Sequence, residues 1–182
     1  IVAEGFEAGG HNGREETTTL TLIPQVRRAT DLPVVAAGGI GSGDAMLAAM
    51  ALGAEGVQIG TLFALSAESS ASEAFKQRCL ALDEGGTMLC LKKLSPTRLV
   101  RNGLFDKVAE AEARGANAEE LRDILGKAAS KRGIFEGDTE QGELEIGQIA
   151  SSVDAIRPAG EIVRQLVENF RKAQKDVAAI GF

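Results

Sequence analysis

The stretch from residue 33 to 63, PVVAAGGIGSGDAMLAAMALGAEGVQIGTLF, limits the possible folds more than any other part of the chain. Val34-Val35-Ala36-Ala37 is a short apolar run of the kind seen in parallel strands buried on both faces, and it stops at Gly38-Gly39. After Gly41-Ser42-Gly43-Asp44 the apolar residues Met46, Leu47, Met50 and Ala51 take helical spacing, with Ser42 or Asp44 as N-cap and Gly53 as the residue that ends the helix. A second short strand, Val57-Gln58-Ile59, runs directly into Gly60-Thr61. The whole is a strand-helix-strand unit with a glycine turn at the C-terminal end of each strand.

Glycine turns at those positions serve one of two purposes. They make tight connections, or they bare backbone N–H groups that can cradle a phosphate which side chains would exclude. Thr61 adds a hydroxyl donor. In (β/α)8 barrels the loops after strands seven and eight often form a phosphate site, and the spacing here suits that arrangement.

The 182 residues, 44% of them hydrophobic, suffice for one sizeable core. A net charge of -6 leaves no electrostatic footprint for nucleic acid or an anionic membrane. No apolar run approaches the roughly 20 residues that a membrane helix requires. Cys79 and Cys90 make neither a disulfide framework nor a zinc pattern, so a reducing cytoplasm is the expected location and no metal is expected.

The chain opens on Ile1-Val2-Ala3, which reads as a buried strand over residues 1–4 followed by GFEAGGHNG. A (β/α)8 barrel takes about 250 residues. Only three barrel-type strands are legible here, so the expectation is the C-terminal part of a larger barrel, with a small complete α/β domain as the alternative. His11 is the sole histidine and follows two glycines beyond a strand end, where barrel enzymes place reacting groups; it is either a proton-transfer group or a structural one. Residues 17–29 form an expected helix with Pro24 in its first turn.

Beyond Thr61 the strand-helix alternation is lost. Residues 72–82 read as a helix with Phe75, Cys79 and Leu82 on one face, 87–91 as a short extended piece, and 102–114 as a helix ended by Gly115. Asn117 with Glu120 forms a capping box that opens a helix to about Lys131, stopped by Gly133. The charged positions Glu110, Glu112, Glu119, Arg122 and Lys127 read as solvated helix faces. Residues 135–153, acidic and glycine-punctuated, read as a solvated loop, with Gln148 where the chain turns back into a helix. Ile162, Leu166 and Phe170 form the packing stripe of a terminal helix.

In this order and at these separations, AEGFEAGGHNG, VVAAGGI, GVQIGT and the later FEGDTEQGELEIGQIAS resemble the nitronate monooxygenase (2-nitropropane dioxygenase-like) family. The last motif is closest to its flavin-dependent enoyl-acyl-carrier-protein reductase branch. The resemblance covers roughly residues 1 to 155 and implies an FMN-binding TIM (β/α)8 barrel, here strands six to eight, followed by a helical extension. The implied division is 1–68 for the barrel part, 69–155 for the extension with its returning loop, and 156–182 for a terminal helix packed on the barrel.

The same resemblance places FMN against Glu4, Gly9, Gly38, Gly39, Gln58, Ile59, Gly60 and Thr61, with His11 as the active-site histidine. Many nitronate monooxygenases carry Gln where this chain has Glu4; reductase-type members carry Glu. The implied activity is NAD(P)H-dependent reduction of enoyl thioesters, with oxidation of nitronates by O2 as the alternative. A non-catalytic phosphate-binding or assembly module is the reading from another class. The free edge of strand 1–4 is expected to meet upstream polypeptide or a second copy of the chain.

Overall fold

A computed structural model describes residues 1–180. Three strands, β1 (Val2–Glu4), β3 (Val35–Ala37) and β4 (Gly56–Gln58), form a parallel sheet in the order β1-β3-β4. The register aligns Glu4, Ala37 and Gln58 in one row at the C-terminal ends of the strands. Residues two apart face the same side of a sheet, so Glu4 and Gln58 share a face, while Ala3, Ala36 and Val57 point to the other. That second face packs on helices α1 (Thr19–Ala29) and α2 (Gly43–Ala51) through Ile23, Val34, Ile40, Ala49 and Ala54.

β1 is less buried than the sequence implies. Ala3 is buried, but Val2 is 54% exposed and Glu4 is exposed as well. α1 also differs: Pro24 is its sixth residue rather than part of its first turn. The missing Pro24 N–H leaves the Leu20 carbonyl without its usual intrahelical donor. The start of α1 is secured from a distance, because the Glu7 carboxylate accepts from the Thr19 N–H (3.0 Å), while the Thr19 hydroxyl lies between Glu7 (3.1 Å) and the Gly38 carbonyl (2.8 Å). An anionic acceptor at a helix N-terminus is worth about 1 kcal/mol. α2 is capped by Ser42, whose Oγ accepts from the Ala45 N–H at 3.1 Å, and it closes on Leu52 and Gly53 (φ +107°).

A second sheet, absent from the sequence reading apart from the piece at 87–91, is antiparallel in the order β2-β6-β5. It comprises β2 (Gly10–His11), β5 (Thr87–Cys90) and β6 (Thr97–Val100). Its outer side carries α5 (Gly103–Ala113) and α6 (Ala118–Leu125), with Leu99, Phe105, Val108 and Leu121 in their shared core. Asn117 and Glu120 form the expected reciprocal cap of α6. The helix ends earlier than expected, at Leu125 with Gly126 in a positive-φ conformation (+66°). Gly133 does not stop it; that glycine sits inside a separate π-helical turn, Lys131–Phe135, where a Cβ would come within 2.5 Å of the Glu143 carbonyl oxygen.

Residues 65–82 and 143–150 join the two sheets. After the short α3 (Thr61–Ala64), Phe75 and Cys79 of α4 (Glu73–Leu80) pack with Leu65, Val100, Leu144, Ile146 and Ala150. The long terminal helix α7 (Ala159–Ala178) lies on α2, so close that a Cβ on Gly43 would come within 2.5 Å of the Asn169 carbonyl carbon. Among the described residues no helix is long and apolar enough to cross a membrane.

Candidate active site

The C-terminal ends of β1, β3 and β4 open into a cavity of about 250 Å³. All eight residues expected to contact a cofactor line it: Glu4, Gly9, Gly38, Gly39, Gln58, Ile59, Gly60 and Thr61. Gly38 and Gly39 turn the chain at φ +85° and +70°, a region that disfavours L side chains, and a Cβ on Gly38 would come within 2.6 Å of the Gly5 carbonyl oxygen. A Cβ at Gly60 would meet nothing within 4 Å, so the wall there is bare backbone facing open space. The N–H groups of Gly39 and Gly60 donate to no acceptor among the described residues.

His11 is not on that wall. It does not continue β1; it is exposed on β2, two residues beyond Gly9 and opposite Thr97 of β6.

Part of the enclosure comes from the segment read as a solvated loop. Glu145, Ile146, Gly147 and Ile149 line the cavity, while Glu143 and Leu144 are buried. The Gly147 N–H donates to Thr61 Oγ1 (3.1 Å) and the Gln148 N–H to the Glu7 carbonyl (2.9 Å), so the returning segment is tied to the Gly60-Thr61 turn and to the connection between β1 and β2. Its approach depends on Gly9, whose Cβ would fall within 2.6 Å of Ile146 Cα. Gly147 is held to glycine by the same crowding, because its Cβ would lie 2.7 Å from Thr61 Oγ1.

Arg98, in the middle of β6, also went unread in the sequence. It is 1% exposed, donates through Nη2 (2.8 Å) and Nε (3.2 Å) to the Phe6 carbonyl, and lies 4.5 Å from the Phe6 ring centre. It thereby fastens the turn between β1 and β2 to the second sheet. Burial pulls its pKa down, and the charges of Glu7 and Glu16 act in the opposite direction.

The cavity wall carries three carboxylates and no cationic side chain. Glu7 is committed to the start of α1, and burial raises the pKa of Glu4. With no cation on the wall, an anion in this cavity would be held by N–H groups and the Thr61 hydroxyl rather than by charge pairing. That donor set, with no Cβ in the way, fits a phosphate group. Cys79 and Cys90 are pushed up to about 12 by burial, so both remain thiols and neither acts as a nucleophile.

Glu143 is the most buried acid near the cavity, and burial raises its pKa; the Ser130 hydroxyl and His11 partly offset this, and Glu145 adds to it. A carboxyl whose folded pKa lies above its unfolded value stabilises the fold fully below the unfolded value and loses that contribution as pH rises through the folded one. Stability should therefore fall as pH climbs from the ordinary carboxyl range, and Glu143→Gln should flatten that fall. Urea midpoints at pH 5 and pH 8 measure it; an unchanged pH slope in the variant would show that Glu143 ionises normally.

The family model for nitronate monooxygenase matches residues 1–169. The chain belongs to this family. It is 31% identical over 201 residues to a nitronate monooxygenase of Neurospora crassa, covering all of this chain and 51% of that protein. To an octahydro-indene-carboxyl-CoA dehydrogenase of Mycobacterium tuberculosis it is 31% identical over 207 residues, covering 92% and 58%. The structure of FabK from Thermotoga maritima superposes with a TM-score of 0.91 at 36% identity, over 98% of this chain and 56% of that one. The chain spans about half the length of the curated relatives it matches. The parallel sheet is thus the C-terminal part of a TIM barrel.

Proposed function

We propose that the cavity holds the phosphate end of FMN and that the complete protein is a flavin-dependent oxidoreductase reducing enoyl thioesters at the expense of NADH or NADPH. The observation that carries this reading is the convergence of all eight expected contacts on one cavity whose phosphate-facing wall is bare backbone. The thioester is favoured over a nitronate by Glu4 and by the likeness to FabK and to a CoA-thioester dehydrogenase.

Gly38, Gly39, Gly60 and Thr61 would hold the phosphate, while Glu4, Gln58 and Gly9 would border the remainder of the cofactor. FMN supplies hydride transfer when bound, and the protein positions it and the substrate. Further barrel strands would form the floor under the ring. His11, exposed and off the cavity wall, would meet a substrate that reaches past Gly9 and would exchange a proton with it. Replacing His11 with Ala should leave the flavin content near one per chain and lower turnover by about 10²–10⁴-fold. Equal turnover would return this residue to a surface role.

Thr61→Val removes both the donor offered to the phosphate and the acceptor of the Gly147 N–H. The affinity for FMN, measured by fluorescence titration of the full-length protein, should drop by about tenfold, the equivalent of one lost hydrogen bond. The choice of substrate is tested by NAD(P)H consumption with an enoyl thioester against O2 uptake with a nitronate. Oxidation of the nitronate without pyridine nucleotide, and no reaction with the thioester, would replace the first activity with the second.

A further inference from the structure

One hydroxyl in this structure faces two carboxylates. Ser130 Oγ lies 2.9 Å from Glu143 Oε2 and 2.8 Å from Glu145 Oε1. A serine hydroxyl has a single proton, so it can donate to only one of them. The second short contact is a hydrogen bond only if the other carboxyl carries a proton and donates it to Oγ. With both contacts as hydrogen bonds, the three groups would share two protons over one net negative charge.

The surroundings assign the places. Glu143 is buried, with its main-chain N–H donating to the Ala129 carbonyl, and burial favours its neutral form. Glu145 is half-buried and lines the cavity, with its backbone bridged to Leu99 of β6. Its second oxygen, Oε2, takes the space left by Gly10 (φ +74°), where a Cβ would come within 2.5 Å of it. The carboxylate thus spans from the Ser130 hydroxyl to the residue preceding His11. Ser130 itself precedes the π-helical turn Lys131–Phe135, an irregularity frequent at functional sites, and Ile134 of that turn also lines the cavity. The other titratable groups bearing on the pair are His11 on β2 and Cys90 on β5.

We propose that Glu143, Ser130 and Glu145 form a proton relay, with Glu143 as the store and Glu145 as a second proton-transfer group at the cavity wall. The Glu143 proton passes to Ser130 Oγ as the Ser130 proton passes to Glu145, and Glu145 protonates an anion that develops on a bound molecule. The cluster goes from one negative charge to two. Water restores the proton through Glu145 once the cavity empties, so no oxidant or reductant enters the step.

The shared proton is testable independently of the proposed activity, whereas delivery to substrate rests on that reading. Infrared difference spectra of the full-length protein should show the C=O stretch of one protonated carboxyl at pH 7. The band should be lost in Glu143→Gln, whose amide still donates to Ser130, and retained in His11→Ala. No such band at pH 7, or a band insensitive to Glu143→Gln, overturns the store. For delivery, Glu145→Gln and Ser130→Ala should each lower turnover by about 10²-fold with unchanged KM and flavin content, and should shrink the solvent deuterium effect. Wild-type turnover in Glu145→Gln, with the band intact, overturns the relay. Loss of turnover with every substrate in the wild type would instead count against the proposed activity, and the infrared result would still decide whether the proton is stored.

Discussion

Replacing Gly9 with alanine should cost more than any other single methyl group added at the site. The new Cβ would press on Ile146 Cα and come closer still to the backbone of Ile146 and Gly147, and backbone cannot rotate aside as a side chain can. Overpacking of this kind costs about 1–3 kcal/mol. The returning segment would also have to lift, breaking the Gly147 to Thr61 and Gln148 to Glu7 hydrogen bonds, each worth about 1 kcal/mol. Urea unfolding of the full-length protein should register a loss of roughly 3–5 kcal/mol, the sum of these terms. FMN affinity should fall by at least about tenfold, because the wall formed by residues 145–149 moves away. An unaltered affinity would mean that this segment does not enclose the cofactor.

Phe75→Ala should have a comparable effect on stability through a different route. Phe75 is 1% exposed in the cluster that joins the sheets, against Leu65, Leu144, Ile146 and Ala150. Truncating a buried phenylalanine costs about 3–5 kcal/mol, including the cavity it leaves. Since Ile146 belongs to both this cluster and the cavity wall, the variant should bind FMN more weakly as well as unfold at lower urea. A shift in urea midpoint equivalent to less than about 1 kcal/mol would show that the neighbours collapse into the space.

These two variants mark the line between what the sequence made legible and what it did not. The Gly38-Gly39 and Gly60-Thr61 turns could be read because their requirement is local: positive φ or bare backbone at the end of a short apolar strand. The caps at Ser42 and Asn117 were legible for the same reason, each acting within three residues. The enclosing segment was not, because its partners lie far away along the chain. Thr61 and Gly147 are 86 residues apart, and Arg98 reaches Phe6 across 92. Within 135–153 the acids Glu143 and Glu145 look like solvent-facing charge; Ser130 and the neighbouring sheet account for their placement.

β6 was hidden by a related effect. All four of its residues, Thr97 to Val100, are buried, so it lacks the alternation that reveals a half-exposed strand, and Arg98 interrupts what would otherwise be an apolar run. The arginine is tolerated there because a carbonyl and a ring meet its guanidinium. The overextended α6 has a simpler origin: residues 126–131 carry helix-forming Lys and Ala, yet Gly126 at φ +66° has already ended the helix.

FMN titration of the full-length protein, followed by its visible spectrum and by 31P NMR, decides whether this cavity holds the phosphate end of the cofactor. One tightly held FMN per chain is expected, with a phosphate resonance shifted from that of free FMN. Gly39→Val, which puts a branched side chain where φ is +70° and the phosphate would sit, should abolish both while the fold is kept. A colourless protein that takes up no FMN, or a Gly39→Val variant that retains a full complement, would place the cofactor elsewhere and contradict the assignment of this cavity.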